Sequence, residues 1–145
     1  MDDRTQQSIE TLGQPGWSLP TPYPWLAHYS PGVPAELPVP QRSLPELLDA
    51  AAGQYGKRDA IVYYGTHLSF VQLTSLVDRF AQALLKLGVT HGDRVSLMLP
   101  NVPQFPIAFY GALKAGAVVV PTNPIYTQPE LRHQFNDAGV KVVVT

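Results

Sequence analysis

The sequence predicts an α/β fold built on a mostly parallel sheet, and three observations carry that prediction. Residues 93–145 alternate short apolar runs with helical periods in the order β-α-β-α-β. The middle run, Ala117-Val118-Val119-Val120, is apolar without alternation and the flanking runs are nearly so, the pattern of strands covered on both faces. Ahead of them Phe70, Leu73, Val77, Phe80, Leu84 and Leu87 recur with gaps of 3, 4, 3, 4 and 3, the strongest helical period in the chain. Right-handed crossovers place helices against such a sheet, which makes residues 43–145 a partial three-layer, Rossmann-like subdomain.

Each element has its own signal. Eight of the fifteen prolines fall before residue 43. Each fixes φ and removes a donor, so residues 1–42 predict a tail over 1–20 and an extended arm over 21–42 with no regular helix or central strand. Trp25, Leu26 and Tyr29 are the side chains that would pin the arm to a body, with Trp17 as a further candidate. Ser43-Leu44-Pro45-Glu46 is a capping box, opening a helix that ends near Gly53–Gly56. Ala60–Tyr64 and His67–Phe70 flank Gly65-Thr66, a hairpin in which glycine at the first loop position predicts a type II′ turn. Ser69 and Gln72 form a second capping box, and Gly88 stands where a helix C′ residue belongs. Arg94–Leu99 predicts a strand after a Gly92-Asp93 turn. Asn101 with Gln104 predicts the cap of a helix reaching Ala115, with Pro106 forcing a late start or a bend. Thr127 and Glu130 form a third capping box, and Val140–Val144 is the last strand.

Composition excludes several classes. Of 145 residues 45% are apolar and 14% charged, enough apolar content for a core. Ten Lys+Arg against eleven Asp+Glu leave a formal charge of −1, which argues against nucleic-acid binding by bulk charge. There is no cysteine, so disulfides, thiolate metal sites and cysteine nucleophiles are excluded together. The apolar stretch Phe105–Pro121 is broken by Lys114, Pro106, Gly111 and Gly116 and is shorter than the ~20 residues of a spanning helix. With an acidic, polar start, the chain reads as cytoplasmic.

The chemistry-bearing residues read as scaffold. Neither strand-to-helix junction, Leu99–Pro103 or Pro121–Thr127, contains a glycine, and each contains two prolines or more; a phosphate cradle needs closely spaced glycine amides. His28, His67, His91 and His133 are scattered. Glu130 and His133 share a helix face, but a carboxylate metal site needs a second such pair, so a solvated face is expected. Ser69, Ser75 and Ser96 lack a glycine elbow. Asp93 reads as a turn residue, Asp78 and Arg79 as a wet face, Tyr63 and Tyr64 as strand packing. No catalytic, cofactor-binding or metal-ligating residue is assigned.

The ordered segments resemble a known family. Leu68-Ser69-Phe70-Val71-Gln72-Leu73 resembles the first core motif of the adenylate-forming enzymes, the acyl-CoA synthetase and luciferase superfamily. Leu113-Lys114-Ala115-Gly116-Ala117-Val118-Val119-Val120-Pro121-Thr122-Asn123 resembles the second, and Gly92-Asp93-Arg94-Val95 through Leu99-Pro100-Asn101 is similar to the strand and junction between them. Trp25-Leu26-Ala27-His28-Tyr29, Gly32–Leu37, Asn123–Thr127 and Glu130–Gln134 resemble bacterial long-chain fatty acid–CoA ligases. Peptide-synthetase adenylation domains usually carry aspartate where Asn123 stands.

The resemblance implies a parent reaction in which a fatty acid carboxylate attacks the α-phosphate of ATP, and coenzyme A then displaces AMP from the acyl-adenylate. It implies ATP, Mg²⁺ and coenzyme A for the parent and none bound by residues 1–145. The phosphate-binding loop, adenine segment, ribose-binding aspartate and C-terminal lysine of the family would lie downstream. On this reading residues 1–145 are structural and inactive alone, part of an AMP-binding domain that continues beyond Thr145, with the remainder of that chain as partner. Rival readings are a stand-alone module for self-association or partner binding, and part of a medium-chain or aryl ligase. Peripheral membrane association stays open, and the edge of Val140–Val144 predicts self-association.

Overall fold

The structure is a computed structural model that describes residues 24–37 and 39–145. The proposed tail over 1–20, and Trp17 with it, lies outside the described residues. The chain divides between Pro40 and Gln41, and the two parts are described separately.

In the arm, Pro24–His28 form a single 3₁₀ turn, closed by the Tyr29 N–H donating to the Leu26 carbonyl at 3.2 Å. The prolines predict no regular helix there. The turn forms because Pro24 stands at its first position, where a helix has no use for an N–H.

The second part runs α1 (Leu44–Tyr55), β1 (Asp59–Tyr63), β2 (Thr66–Ser69), α2 (Phe70–Lys86), β3 (Arg94–Leu97), α3 (Gln104–Lys114), β4 (Val118–Pro121), α4 (Gln128–Ala138) and β5 (Val140–Val144). β1 and β2 pair antiparallel. The other three strands form a parallel sheet in the order β4-β3-β5. The chain therefore passes from central β3 to β4 on one side, then crosses to β5 on the other.

The predicted caps at α1, α2 and α4 form. Ser43 and Ser69 receive the third-residue amide on their hydroxyls, at 3.4 and 3.3 Å, and their own N–H groups reach Glu46 and Gln72 at 2.7 and 2.9 Å. Thr127 donates N–H and hydroxyl to Glu130, both at 2.7 Å. α2 ends in a Schellman motif: Val89 N–H bonds the Leu84 carbonyl and Gly88 N–H that of Leu85, with Gly88 at φ +82° and Val89 buried with Leu84.

The cap expected at Asn101 does not form. α3 starts at Gln104 with Pro103 as N-cap and no side-chain cap. Pro106 then occupies the third helical position, where no intrahelical N–H is needed, so the late start removes the conflict. The hairpin turn also differs. Tyr63 pairs with Thr66, leaving Tyr64 and Gly65 as loop residues at φ +45° and +79°. Two positive φ values define a type I′ turn, whose twist matches the strands.

One core joins α2, α3 and one sheet face: Ala81, Leu84, Val89, Val95, Leu97, Ala108 and Ala112 are buried, with Val119, Val142 and Val144 packed against them. A second cluster of Leu48, Leu73 and Val77 joins α1 to α2 and the hairpin. α2 and α3 approach so closely at Gly111 that a Cβ there would lie 2.8 Å from Phe80.

The expectation that all three parallel strands are covered on both faces holds only for β3. Val95, Ser96 and Leu97 are fully buried, whereas Val118 and Val143 stand 50% and 40% exposed. The helix that follows β4 is polar and buries no residue, so it does not seal the outer parts of the sheet.

Candidate functional site

In an open parallel sheet, ligands bind outside the carboxyl ends of the strands where the chain reverses its direction of travel. Here that place is the carboxyl end of β3, between β4 and β5. Two junctions rim it: Met98–Pro103 after β3 and Thr122–Thr127 after β4.

The junctions are tied to the sheet by backbone. Met98 N–H donates to the Val144 carbonyl and Thr122 N–H to the Leu97 carbonyl, both at 2.9 Å. Between them Ser96 and Thr122, both buried, share a hydroxyl hydrogen bond of 2.7 Å. A buried hydroxyl must be partnered, and Ser96 finds its partner in Thr122.

Beyond this pair, Ile125 N–H donates to Asn123 Oδ1 at 3.2 Å and Tyr126 N–H to the Asn123 carbonyl at 3.1 Å. Asn123 thus folds its own loop, as asparagine does in turns. Ile125 is 84% exposed. Gln134 reaches from α4 to the Pro121 carbonyl at 3.2 Å, while its Oε1 is buried without a partner. On the other rim a cavity of about 250 Å³ is lined by Ile61, Tyr63, Asn101, Val102, Phe105 and the neighbouring prolines.

The charged groups lie elsewhere. At the amino end of the sheet Asp93 accepts from Lys141 at 2.6 Å, and from the Thr90 N–H and hydroxyl at 2.7 and 2.9 Å. The Lys141 hydrogen bond first, then those of Thr90, hold its carboxyl at about 2. Lys141 also donates to the Gly88 carbonyl at 2.9 Å. Arg94 donates to the Ala138 and Gly139 carbonyls at 2.9–3.2 Å, a cation on the negative end of α4. So Asp93 is a turn residue as its sequence suggests, since its N–H also meets the Thr90 carbonyl at 3.1 Å, but it is an anchor as well.

A third cluster ties three helices. Lys114 of α3 donates to Asp49 of α1 at 2.8 Å and to Asp78 of α2 at 2.7 Å. Burial pulls its pKa down, but the two carboxylates outweigh that and raise it. Asp78 is therefore no mere wet-face residue. Its partner lies 36 residues away and gives no local signal. Tyr64, expected to pack in a strand, stands 93% exposed at the turn, edge-on to Tyr63 with ring centroids 4.6 Å apart.

Among the described residues no group of three His, Asp or Glu could hold a metal. Glu130 is engaged by Thr127 through its capping box, and these hydrogen bonds lower its pKa. Neither junction offers the glycine amides a triphosphate requires, and neither carries a charged side chain.

The scaffold nevertheless has close relatives. The AMP-binding enzyme family matches residues 48–145. The chain belongs to that family. It is 43% identical over 122 residues, 84% of its length, to a long-chain-fatty-acid–CoA ligase of Bacillus subtilis. It spans 22% of that relative's length and matches its N-terminal part. Among solved structures, a Mycobacterium tuberculosis fatty acyl CoA synthetase aligns at 37% identity with a TM-score of 0.66, over 68% of this chain and 20% of the other. An N-terminal subdomain of Klebsiella oxytoca NpsA, solved with 3-hydroxyanthranilyl-AMSN, aligns over 69% of this chain and 26% of the other, with a TM-score of 0.67 but 21% identity; it shares the fold. The family's α/β scaffold is thus the one seen here, with the parallel β4-β3-β5 sheet at its centre. No helix among the described residues is long and apolar enough to cross a membrane.

Proposed function

We propose that this chain is the N-terminal scaffold of a long-chain fatty acid–CoA ligase, which converts ATP, a fatty acid and coenzyme A into acyl-CoA, AMP and diphosphate. The supporting observation is the 43% identity to the Bacillus subtilis ligase over 84% of this chain. The arm segment Trp25–Tyr29 and the junction Asn123–Thr127 resemble the same subfamily, whereas the aryl-AMSN-bound neighbour offers only 21% identity. The bare carboxyl edge fits the same reading, because phosphate-handling groups then come from the remainder of the polypeptide. ATP, Mg²⁺ and coenzyme A belong to that whole. A cysteine-free chain agrees with a cytoplasmic enzyme.

The test compares the purified 145-residue chain with the product of the complete reading frame. AMP release is measured with palmitate, octanoate and benzoate as acids. The reading expects palmitate-dependent AMP release from the complete product and none from the 145-residue chain. Release by the short chain alone, or preference for benzoate, overturns it.

A further inference from the structure

The junction after β4 is held at its root from three directions. The Thr122 N–H donates to the Leu97 carbonyl at 2.9 Å. Gln134 donates from α4 to the Pro121 carbonyl at 3.2 Å. The Thr122 hydroxyl meets that of Ser96 on β3 at 2.7 Å, and both residues are buried. From that root Asn123 folds the next three residues, and the Thr127 capping box closes the segment. The junction after β3 is tied at its root by backbone, through the Met98 N–H and the Val144 carbonyl.

The Thr122 hydroxyl gives its one proton to the Val120 carbonyl at 3.4 Å, so Ser96 is the donor of the pair. An alanine and a valine would fill nearly the same space with no polar atom to bury. Replacing both partners of a buried hydrogen bond in this way is close to neutral for stability. What an apolar pair lacks is direction. A hydrogen bond of 2.7 Å fixes one oxygen against the other, and this one lies where the central strand meets the rim of the candidate site.

We propose that Ser96 is a positioning residue: through Thr122 it fixes the junction 122–127 in the geometry that the ligase site of the complete chain requires, a role that rests on the ligase reading above. Ser96 is fully buried and acts only through Thr122. Its contribution is pre-organisation of a rim, and a misplacement of about 1 Å in such a supporting element can cost about 10²-fold in rate.

Three measurements on the product of the complete reading frame test this: urea unfolding, steady-state AMP release with palmitate and ATP, and hydrogen exchange over residues 122–127. Thr122→Val leaves the Ser96 proton buried without an acceptor and is expected to unfold at lower urea. The double variant Ser96→Ala/Thr122→Val removes both hydroxyls and is expected to regain the unsubstituted urea midpoint. Its kcat is nevertheless expected to stay at least about tenfold lower, with KM for palmitate and ATP within about threefold. Its residues 122–127 are expected to exchange at least about tenfold faster. Thr122→Ser keeps the hydroxyl and is expected to restore kcat to within about threefold. A double variant with full kcat or unchanged exchange overturns the proposal, because the pair then only packs. So does a double variant that unfolds as early as Thr122→Val, or a Thr122→Ser variant no better than Thr122→Val. Exchange needs no substrate. If the unsubstituted product releases no AMP with any acid, the ligase reading falls, and exchange alone decides whether Ser96 orders the junction.

Discussion

The two ends of the parallel sheet are built from different chemistry. At the amino end, Asp93, Arg94, Lys141 and the carbonyls of Gly88, Ala138 and Gly139 form a dense set of charged hydrogen bonds. At the carboxyl end, residues 98–103 and 122–127 contain no charged side chain at all. The first end holds β3, β5 and the end of α4 together. The second is anchored by backbone and one buried hydroxyl pair, and leaves its loops free to take groups from elsewhere. Charged anchoring is thus confined to one end of the same strands.

The sharpest way to break this comparison is at the point both ends share. Leu97 is fully buried in the core where β3 approaches its junction. Leu97→Ala removes its side chain with little room to collapse, and is expected to cost about 2–5 kcal/mol in urea unfolding followed by circular dichroism. By contrast Phe70 and Phe80 are only partly buried, so either alanine variant is expected to cost less than the 3–5 kcal/mol of a fully buried phenylalanine.

The amino end can be tested by acid. Asp93 is held at about 2 against an ordinary 3.8. A depressed carboxylate stabilises the fold above its unfolded pKa, and that stabilisation is lost as pH falls through the folded one. The window is therefore pH 4 to 2. Glu46 and Glu130, lowered first by side-chain hydrogen bonds from Ser43 and Thr127, titrate in the same direction. Asp93→Asn is expected to destabilise at pH 7 and to flatten the loss between pH 4 and 2, leaving the part due to the two capping glutamates. An unchanged acid profile would show the Asp93 cluster to be dispensable.

The contrast between real and apparent caps is smaller. Ser69→Ala removes a formed cap and is expected to cost about 1 kcal/mol. Asn101→Ala, at a site with the same spacing but no cap, is expected to stay within about 0.5 kcal/mol.

Those two positions also show what the sequence can and cannot specify. Capping boxes and C′ glycines are local: the interacting atoms lie three to six residues apart, so Ser43, Ser69, Thr127, Gly88, Gly116 and Gly139 announce their helices. Asn101 has the same local pattern, but Pro103 and Pro106 move the helix start past it. The charged clusters have no such signal. Asp93 meets Lys141 from 48 residues away and Lys114 meets Asp49 from 65, and only topology brings them together. Coverage of the outer strands was illegible for a similar reason: Val118 and Val143 are valines in apolar runs, and their exposure depends on what packs above them. The motif order carried the family, whereas the candidate site is marked only by where β3 ends and the chain reverses.

The finest test concerns the hairpin beside the carboxyl rim. Tyr64 sits at φ +45°, a region where a side chain costs about 1–2 kcal/mol. Its ring is almost fully exposed and touches Tyr63 edge-on, a contact worth about 0.5–1.5 kcal/mol. The two nearly cancel, and glycine further loosens the unfolded chain. Tyr64→Gly is therefore expected to change stability by less than about 1 kcal/mol, and Tyr64→Asn, which tolerates positive φ without loosening the unfolded chain as glycine does, to be the more stable of the two. Because Tyr63 lines the cavity with Asn101, losing its neighbour should change the cavity more than the fold. A Tyr64→Gly chain that melts several degrees lower would mean that the ring contact outweighs the strain, and that this tip, like the amino end of the sheet, is built for holding.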